Sequence, residues 1–159
     1  MKILEEKYKQ VLEISNQPKK FIDQNGTKQW YLNGKLHRTD GPAFEHTDGT
    51  KAWYLNGSLH RIGGPARLYP NGKKEWWVNG KLHRTDGPAI EYEDGGQEWY
   101  LNGKLHRTDG PAYEDPENGY KEWWINNKRF DTEDQFNDYI ATLKEIEKGN
   151  KEAEANLDF

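Results

Sequence analysis

NGKLHRTDGPAIEYEDGGQEW, residues Asn79–Trp99, covers most of one period of a pattern that runs through most of the chain. Trp30, Trp53, Trp76 and Trp99 stand 23 residues apart, and Trp123 follows after 24. His37, His60, His83 and His106 keep the same 23-residue step, as do four Gly-Pro-Ala triplets, at 41–43, 64–66, 87–89 and 110–112. A unit this short cannot bury its own apolar face, so it must gain its stability by stacking on its neighbours.

Two turn signals divide each unit. Asn33-Gly34, Asn56-Gly57, Asn79-Gly80 and Asn102-Gly103 supply one. Asp48-Gly49, Asn71-Gly72, Asp94-Gly95 and Asn118-Gly119 supply the other. Such dipeptides favour tight β-hairpin turns because they tolerate positive φ. A third bend precedes each Gly-Pro-Ala, where proline lacks the N–H a central ladder needs. The expected fold is therefore mainly β, an elongated antiparallel meander of tandem 23-residue hairpin repeats. About ten strands at about 4.8 Å spacing would span about 50 Å.

Two-residue turns set the expected register. Around Asn56-Gly57, Leu55 opposes Ser58, Tyr54 opposes Leu59 and Trp53 opposes His60. Around Asp48-Gly49, Phe44 would then oppose Trp53. Cross-strand partners share a face. One face thus carries the Trp and His rows and is expected to be the better buried. The other carries the Tyr and Arg rows, with Ala43 and Leu59.

The ends read as helices. Leu4, Tyr8, Val11 and Leu12 lie near one side of a helix, and residues 1–17 are assigned to it. Residues 18–130 are the repeats. Thr132-x-x-Gln135 fits a capping box, and Phe136, Tyr139, Ile140 and Leu143 form a helical stripe over 131–148. Both helices would cap open sheet edges. Residues 149–159 read as a flexible acidic tail.

Composition narrows the function. Of 159 residues, 33% are hydrophobic and 13% aromatic, with mean hydropathy −1.21. Aromatic rings must supply much of so thin a core. The net charge of −4 disfavours nucleic acid and anionic membranes, whose binders are basic. With no cysteine there is no disulfide, thiolate metal site or Cys nucleophile. No apolar run is long enough for a membrane span, and MKILEEKYKQ turns charged too early for a signal peptide. The chain is expected to be soluble and cytoplasmic.

The stretch Asn79–Trp99 resembles the MORN repeat and its bacterial variants, 23-residue hairpin units with an Asn-Gly-Lys-x-His opening, an aromatic and a closing Asp-Gly. The likeness covers about residues 25–127, and it departs from the pattern where Arg replaces the usual Gly after His. Tandem Leu-His-Arg-x-Asp-Gly-Pro-Ala units are also similar to repeats of uncharacterised proteins in large bacteriophages. The resemblance implies an elongated curved sheet that binds other proteins, sometimes membranes, and no chemistry. Toxin–antitoxin labels on some variants hint at an inhibitor or neutraliser of a host or toxin protein.

Three rows of side chains invite a functional reading. Histidines two strands apart are about 9.6 Å from one another, too far to share a metal whose ligand nitrogens sit about 3 Å apart. No metal or cofactor is expected, and each His reads as a partner of the opposite Trp. Arg38, Arg61, Arg84 and Arg107 form a second row. Asp40, Asp86 and Asp109 follow three of them, and Gly63 takes that place after Arg61, leaving Arg61 the freest. Arginine forks suit carboxylates and phosphates. Tyr31, Tyr54, Trp77, Tyr100 and Trp124 form an aromatic row beside them, and Tyr, Trp and Arg dominate interface hot spots. These nine residues are the candidate binding surface.

No catalytic constellation is present in the sequence, and near-identical units make a unique active site hard to build. The reading is a non-enzymatic protein-binding repeat module. The alternatives are a sponge for a small anionic nucleotide, in a groove or at the seam of a homo-oligomer, and a structural component of a larger assembly.

Overall fold

The computed structural model describes residues 16–155, with side chains described through residue 152. The N-terminal helix expected over residues 1–17 lies outside the described residues except for Asn16 and Gln17, which turn. The rest is a β meander closed by one helix at the C-terminal end.

The strands are β1 Lys19–Ile22, β2 Lys28–Leu32, β3 Lys35–Leu36, β4 Phe44–Glu45, β5 Lys51–Ala52, β6 Tyr54–Leu55, β7 Ser58–Leu59, β8 Arg67–Leu68 and β9 Lys74–Glu75. They continue as β10 Trp77–Val78, β11 Lys81–Leu82, β12 Ile90–Glu91, β13 Gln97–Glu98, β14 Tyr100–Leu101, β15 Lys104–Leu105, β16 Tyr113–Asp115, β17 Tyr120–Ile125 and β18 Lys128–Phe130. Helix α1 is Glu133–Ala155.

The repeat forms two ladders rather than one. A 12-stranded antiparallel sheet runs β1-β2-β4-β5-β8-β9-β12-β13-β16-β17-β18, with β3 paired to β2. The hairpins β6-β7, β10-β11 and β14-β15 stand apart from it. The long strand of each middle unit is interrupted at Trp53, Trp76 or Trp99. Across the break the tryptophan stays bonded, its N–H donating to the Ala carbonyl of Gly-Pro-Ala and its carbonyl accepting from the His N–H. Neighbouring hairpins are joined through single bonds, such as Gly57 N–H to Leu36 O and Arg61 N–H to Trp77 O.

The Asn-Gly turns are as expected. Asn33, Asn56, Asn79 and Asn102 sit at φ 50–53°, each followed by a positive-φ glycine, and Leu55 opposes Ser58 and Tyr54 opposes Leu59. Positive φ at both central residues defines type I′. The Asp-Gly loops differ by one residue. Phe44 opposes Ala52, not Trp53, because His46 pairs with Thr50 around a three-residue loop. Only Gly49 has positive φ there, and Asp48 Oδ1 instead accepts the Thr50 N–H at 2.7 Å. That bond, with His46 beside it, pulls the Asp48 carboxyl down to about 2.

This slip moves the core. The expectation of a buried Trp face fails, since Trp30, Trp53, Trp76 and Trp99 are only half-buried. The side chains fully removed from solvent in the array are Ala43, Ala66, Ala89 and Ala112, each 0% exposed. Recurring once per unit, these alanines form a spine whose backbone joins the two ladders: Ala66, for example, donates to Glu75 of the large sheet and accepts from Trp53.

At the C-terminal end, Ile125, Phe130, Phe136 and Ile140 make a cluster of buried apolar side chains, with Trp123, Tyr139 and Leu143 against it. Thr132 Oγ1 accepts the Gln135 N–H, as a capping box requires, while the Gln135 side chain reaches one residue further back and accepts the Asp131 N–H rather than that of Thr132. The helix continues to Ala155, past the expected end at 148 and into the stretch read as a flexible tail. Residues 150–155, NKEAEA, are mostly good helix formers, which carries it through Gly149. Among the described residues, no helix is long and apolar enough to cross a membrane.

Candidate functional site

Three clefts of about 570, 630 and 560 Å³ follow one another along one face of the array. Each is walled by the Arg and Gly-Pro bend of one unit and by the Trp, an aliphatic residue, the His and the Arg of the next. In the middle cleft these are Arg61, Gly64-Pro65, Trp76, Val78, His83 and Arg84.

The arginines stack on the tryptophans. Arg38, Arg61, Arg84 and Arg107 place Cζ 4.2, 4.0, 4.0 and 3.9 Å from the ring centroids of Trp30, Trp53, Trp76 and Trp99. This corrects the expected face assignment, which put the Arg row with the tyrosines. Cation–π stacking holds each guanidinium flat and within reach of solvent. Its Nη1 donates to the proline carbonyl of the same bend, for example Arg84 to Pro88 at 3.1 Å. The bend is glycine for a reason of space: a Cβ on Gly87 would sit 2.9 Å from the Arg84 Cζ.

The Arg–Asp pairs expected from the spacing are present. Arg38 Nε lies 2.7 Å from Asp40, Arg84 Nε 2.9 Å from Asp86, and Arg107 Nε 2.9 Å from Asp109. Their hydrogen bonds hold the Asp40 and Asp86 carboxyls below the usual carboxylate range. Gly63 leaves Arg61 without such a partner.

The histidines act between units. Besides facing Trp53 through the backbone, His60 reaches the turn of the next hairpin, its Nδ1 2.9 Å from Asn79 Oδ1 and accepting the Asn79 N–H at 3.2 Å. His37 treats Asn56 the same way, and His83 and His106 accept the N–H groups of Asn102 and Asn126.

The other candidate row lies on the opposite side of the sheet. Tyr31, Tyr54, Trp77, Tyr100 and Trp124 are half-buried there, and four of them are engaged by polar side chains. Tyr31 donates to Gln29, Trp77 Nε1 to Glu75, Tyr100 to Glu98, and Trp124 Nε1 to Glu122, at 2.9–3.1 Å. Ala52 occupies that acceptor position beside Tyr54. Tyr69, Tyr92 and Tyr120 donate to the same three glutamates from the other side. Burial, then the bond to Glu98, pushes the Tyr92 and Tyr100 phenols up. The structure thus separates the nine candidates, with the four arginines lining the clefts and the five aromatics behind the sheet.

Sequence reasoning missed the Trp and His side chains, and Ile62, as parts of this surface. A signal for them stands in the last unit. There Trp123, Ile125, Phe130 and Asp131 occupy the places of Trp99, Leu101, His106 and Arg107. Phe130 packs on Phe136 and Tyr139 of α1, with centroids 5.8 and 5.1 Å apart. The helix therefore covers, in the last unit, the surface that the earlier units leave as open clefts. By its architecture the chain is a tandem β-hairpin repeat protein. Compared with protein-family models, curated proteins and solved structures, it finds no match.

Proposed function

We propose that the chain is a non-enzymatic protein-binding module whose working surface is the clefted Trp/His/Arg face. The observation that carries this is the seat of α1. The chain's own amphipathic helix packs on Trp123, Ile125 and Phe130, and the same positions in three earlier units stay open. A surface of half-exposed tryptophans beside fixed guanidinium groups has the composition of interface hot spots. Four of the five aromatics behind the sheet already donate to a neighbouring glutamate or glutamine, which makes that row a poorer candidate.

A pull-down from the native host tests this with three forms of the chain. Wild type and Tyr100→Phe, altered behind the sheet, are expected to capture the same stoichiometric partner. Val78→Lys, altered in a cleft and folded by circular dichroism, is expected to lose it. Capture by Val78→Lys as strong as by wild type would reject the clefted face.

A second reading draws on the cleft dimensions. About 600 Å³ bounded by two arginines and a tryptophan suits a small anionic ring system. A thermal-shift screen with nucleotides separates the two, because a ligand of the native state raises the melting temperature.

A further inference from the structure

The second unit is built differently from its siblings at the point where they hold a carboxylate. In the first unit Glu45 lies between Lys28 Nζ at 3.3 Å and Arg38 Nη1 at 3.8 Å. In the third, Glu91 lies between Lys74 Nζ at 3.3 Å and Arg84 Nη1 at 2.8 Å. In the fourth, Glu114 meets Arg107 at 3.0 Å. The second unit has Leu68 at this position, across the strands from Lys51. It also has Gly63 where the siblings place the aspartate that pairs with Nε. Arg61 therefore lacks both carboxylates and Lys51 the one its counterparts Lys28 and Lys74 contact, and among the described residues neither has an ion pair. Arg61 keeps its stacking on Trp53 and one bond to the Pro65 carbonyl at 3.0 Å.

The siblings also show how a carboxylate reaches this group. Asp40, Asp86 and Asp109 meet Nε while 79–82% exposed, so that edge of the guanidinium faces solvent. Beside it Ile62 replaces the threonine of the other units, is 74% exposed, and borders both adjoining clefts. The chain as a whole is acidic, at −4, so a local pair of unmatched cations is a reversal of its general field.

We propose that Arg61 and Lys51 receive an acidic side chain of the protein partner, with an apolar residue next to it in the partner packed on Ile62. The proposal rests on the protein-binding reading and deepens it to one anchor. A buried or half-buried Arg–carboxylate fork is strong and geometrically selective, and unmatched charge raises the association rate as well.

The test follows the side-chain Nε–H signals of the arginines by NMR in the full chain. The probe is an acetylated, amidated Leu-Glu-Leu-Glu-Leu peptide, compared with its glutamine counterpart and with inorganic phosphate. The expected result is a saturable shift of the Arg61 signal with the glutamate peptide, and little with the glutamine peptide. The Arg38, Arg84 and Arg107 signals should stay in place. Leu68→Glu, which copies the sibling units and so keeps the fold, should weaken the peptide at least tenfold by supplying an internal carboxylate. A static Arg61 signal, equal shifts at all four arginines, unchanged affinity in Leu68→Glu, or a response to phosphate that exceeds the response to the peptide would each overturn the anchor. The Val78→Lys pull-down judges the clefted face independently, so the anchor and the module reading fail separately.

Discussion

In the repeat array the most deeply buried side chains are alanines, whereas in the C-terminal cap they are a phenylalanine and an isoleucine: Phe136 is 2% exposed and Ile125 4%, against 0% for Ala89. The two regions are built on the same hairpin frame. They differ in what covers it. The cap buries Phe130 and Ile125 under α1, while the array leaves their counterparts, such as His106 and Leu101, only half-buried beside tryptophans stacked under their own arginines. The cap is held by apolar burial, and the array by two hydrogen-bonded ladders closing on a narrow spine. The contrast shows how one repeat can serve as both scaffold and surface: the aromatic area that completes a core at one end remains available for contact elsewhere.

The sharpest way to break this contrast is to remove volume from the cap. Phe136→Ala should destabilise the protein by about 3–5 kcal/mol, read by urea denaturation, because it empties the centre of the apolar cluster. In the array the damaging change is the reverse. Ala89→Leu should cost about 1–3 kcal/mol by overpacking the spine. A neutral Ala89→Leu would mean that the ladders are not tightly apposed there.

Trp76→Ala comes next. Half-buried rather than enclosed, it should cost about 1–2 kcal/mol, below the range for a fully buried ring. Trp30→Ala should cost less, having one repeat neighbour rather than two. If Trp76→Ala matched Phe136→Ala, the tryptophans would be core and the contrast would be wrong.

The smallest effect is in alkali. The Tyr92 and Tyr100 phenols, both of the array, are raised above their ordinary value of 10.0 by burial and by Glu98. Their contribution is whole below about pH 10 and is lost as pH rises from there through their folded-state values. Chemical denaturation from pH 9 upward should show a shallower fall for the double Phe variant than for wild type. Identical slopes would remove these phenols from the account.

Much of the fold was legible because turn chemistry repeats so strictly. Asn-Gly at fixed spacing dictates type I′ hairpins, and the stripe of Phe136, Ile140 and Leu143 dictates a cap. The Asp-Gly loops were not legible in the same way. That dipeptide serves both a two-residue turn and a three-residue loop in which aspartate accepts a backbone N–H, and the difference is one residue of register. From that slip follows the changed partner of the tryptophan strand, whereas the arginines were misplaced for another reason: each hairpin strand ends at its leucine, such as Leu59, so alternation no longer sets the face of Arg61 two residues on. The special position of Arg61 was half visible, through Gly63. The loss of its second carboxylate at Leu68 needed the strand pairing, because only the ladder places Glu45 and Glu91 between an arginine and a lysine and Glu114 beside its arginine.

Hydroxyl-radical footprinting of the chain, free and bound to its captured partner, reads out whether the clefted face is the working surface. Strong protection of Trp53, Trp76 and His83 is expected, with Trp77, Tyr100 and Trp124 unchanged. Protection of Trp77 and Tyr100 with Trp53 and Trp76 left open would contradict it.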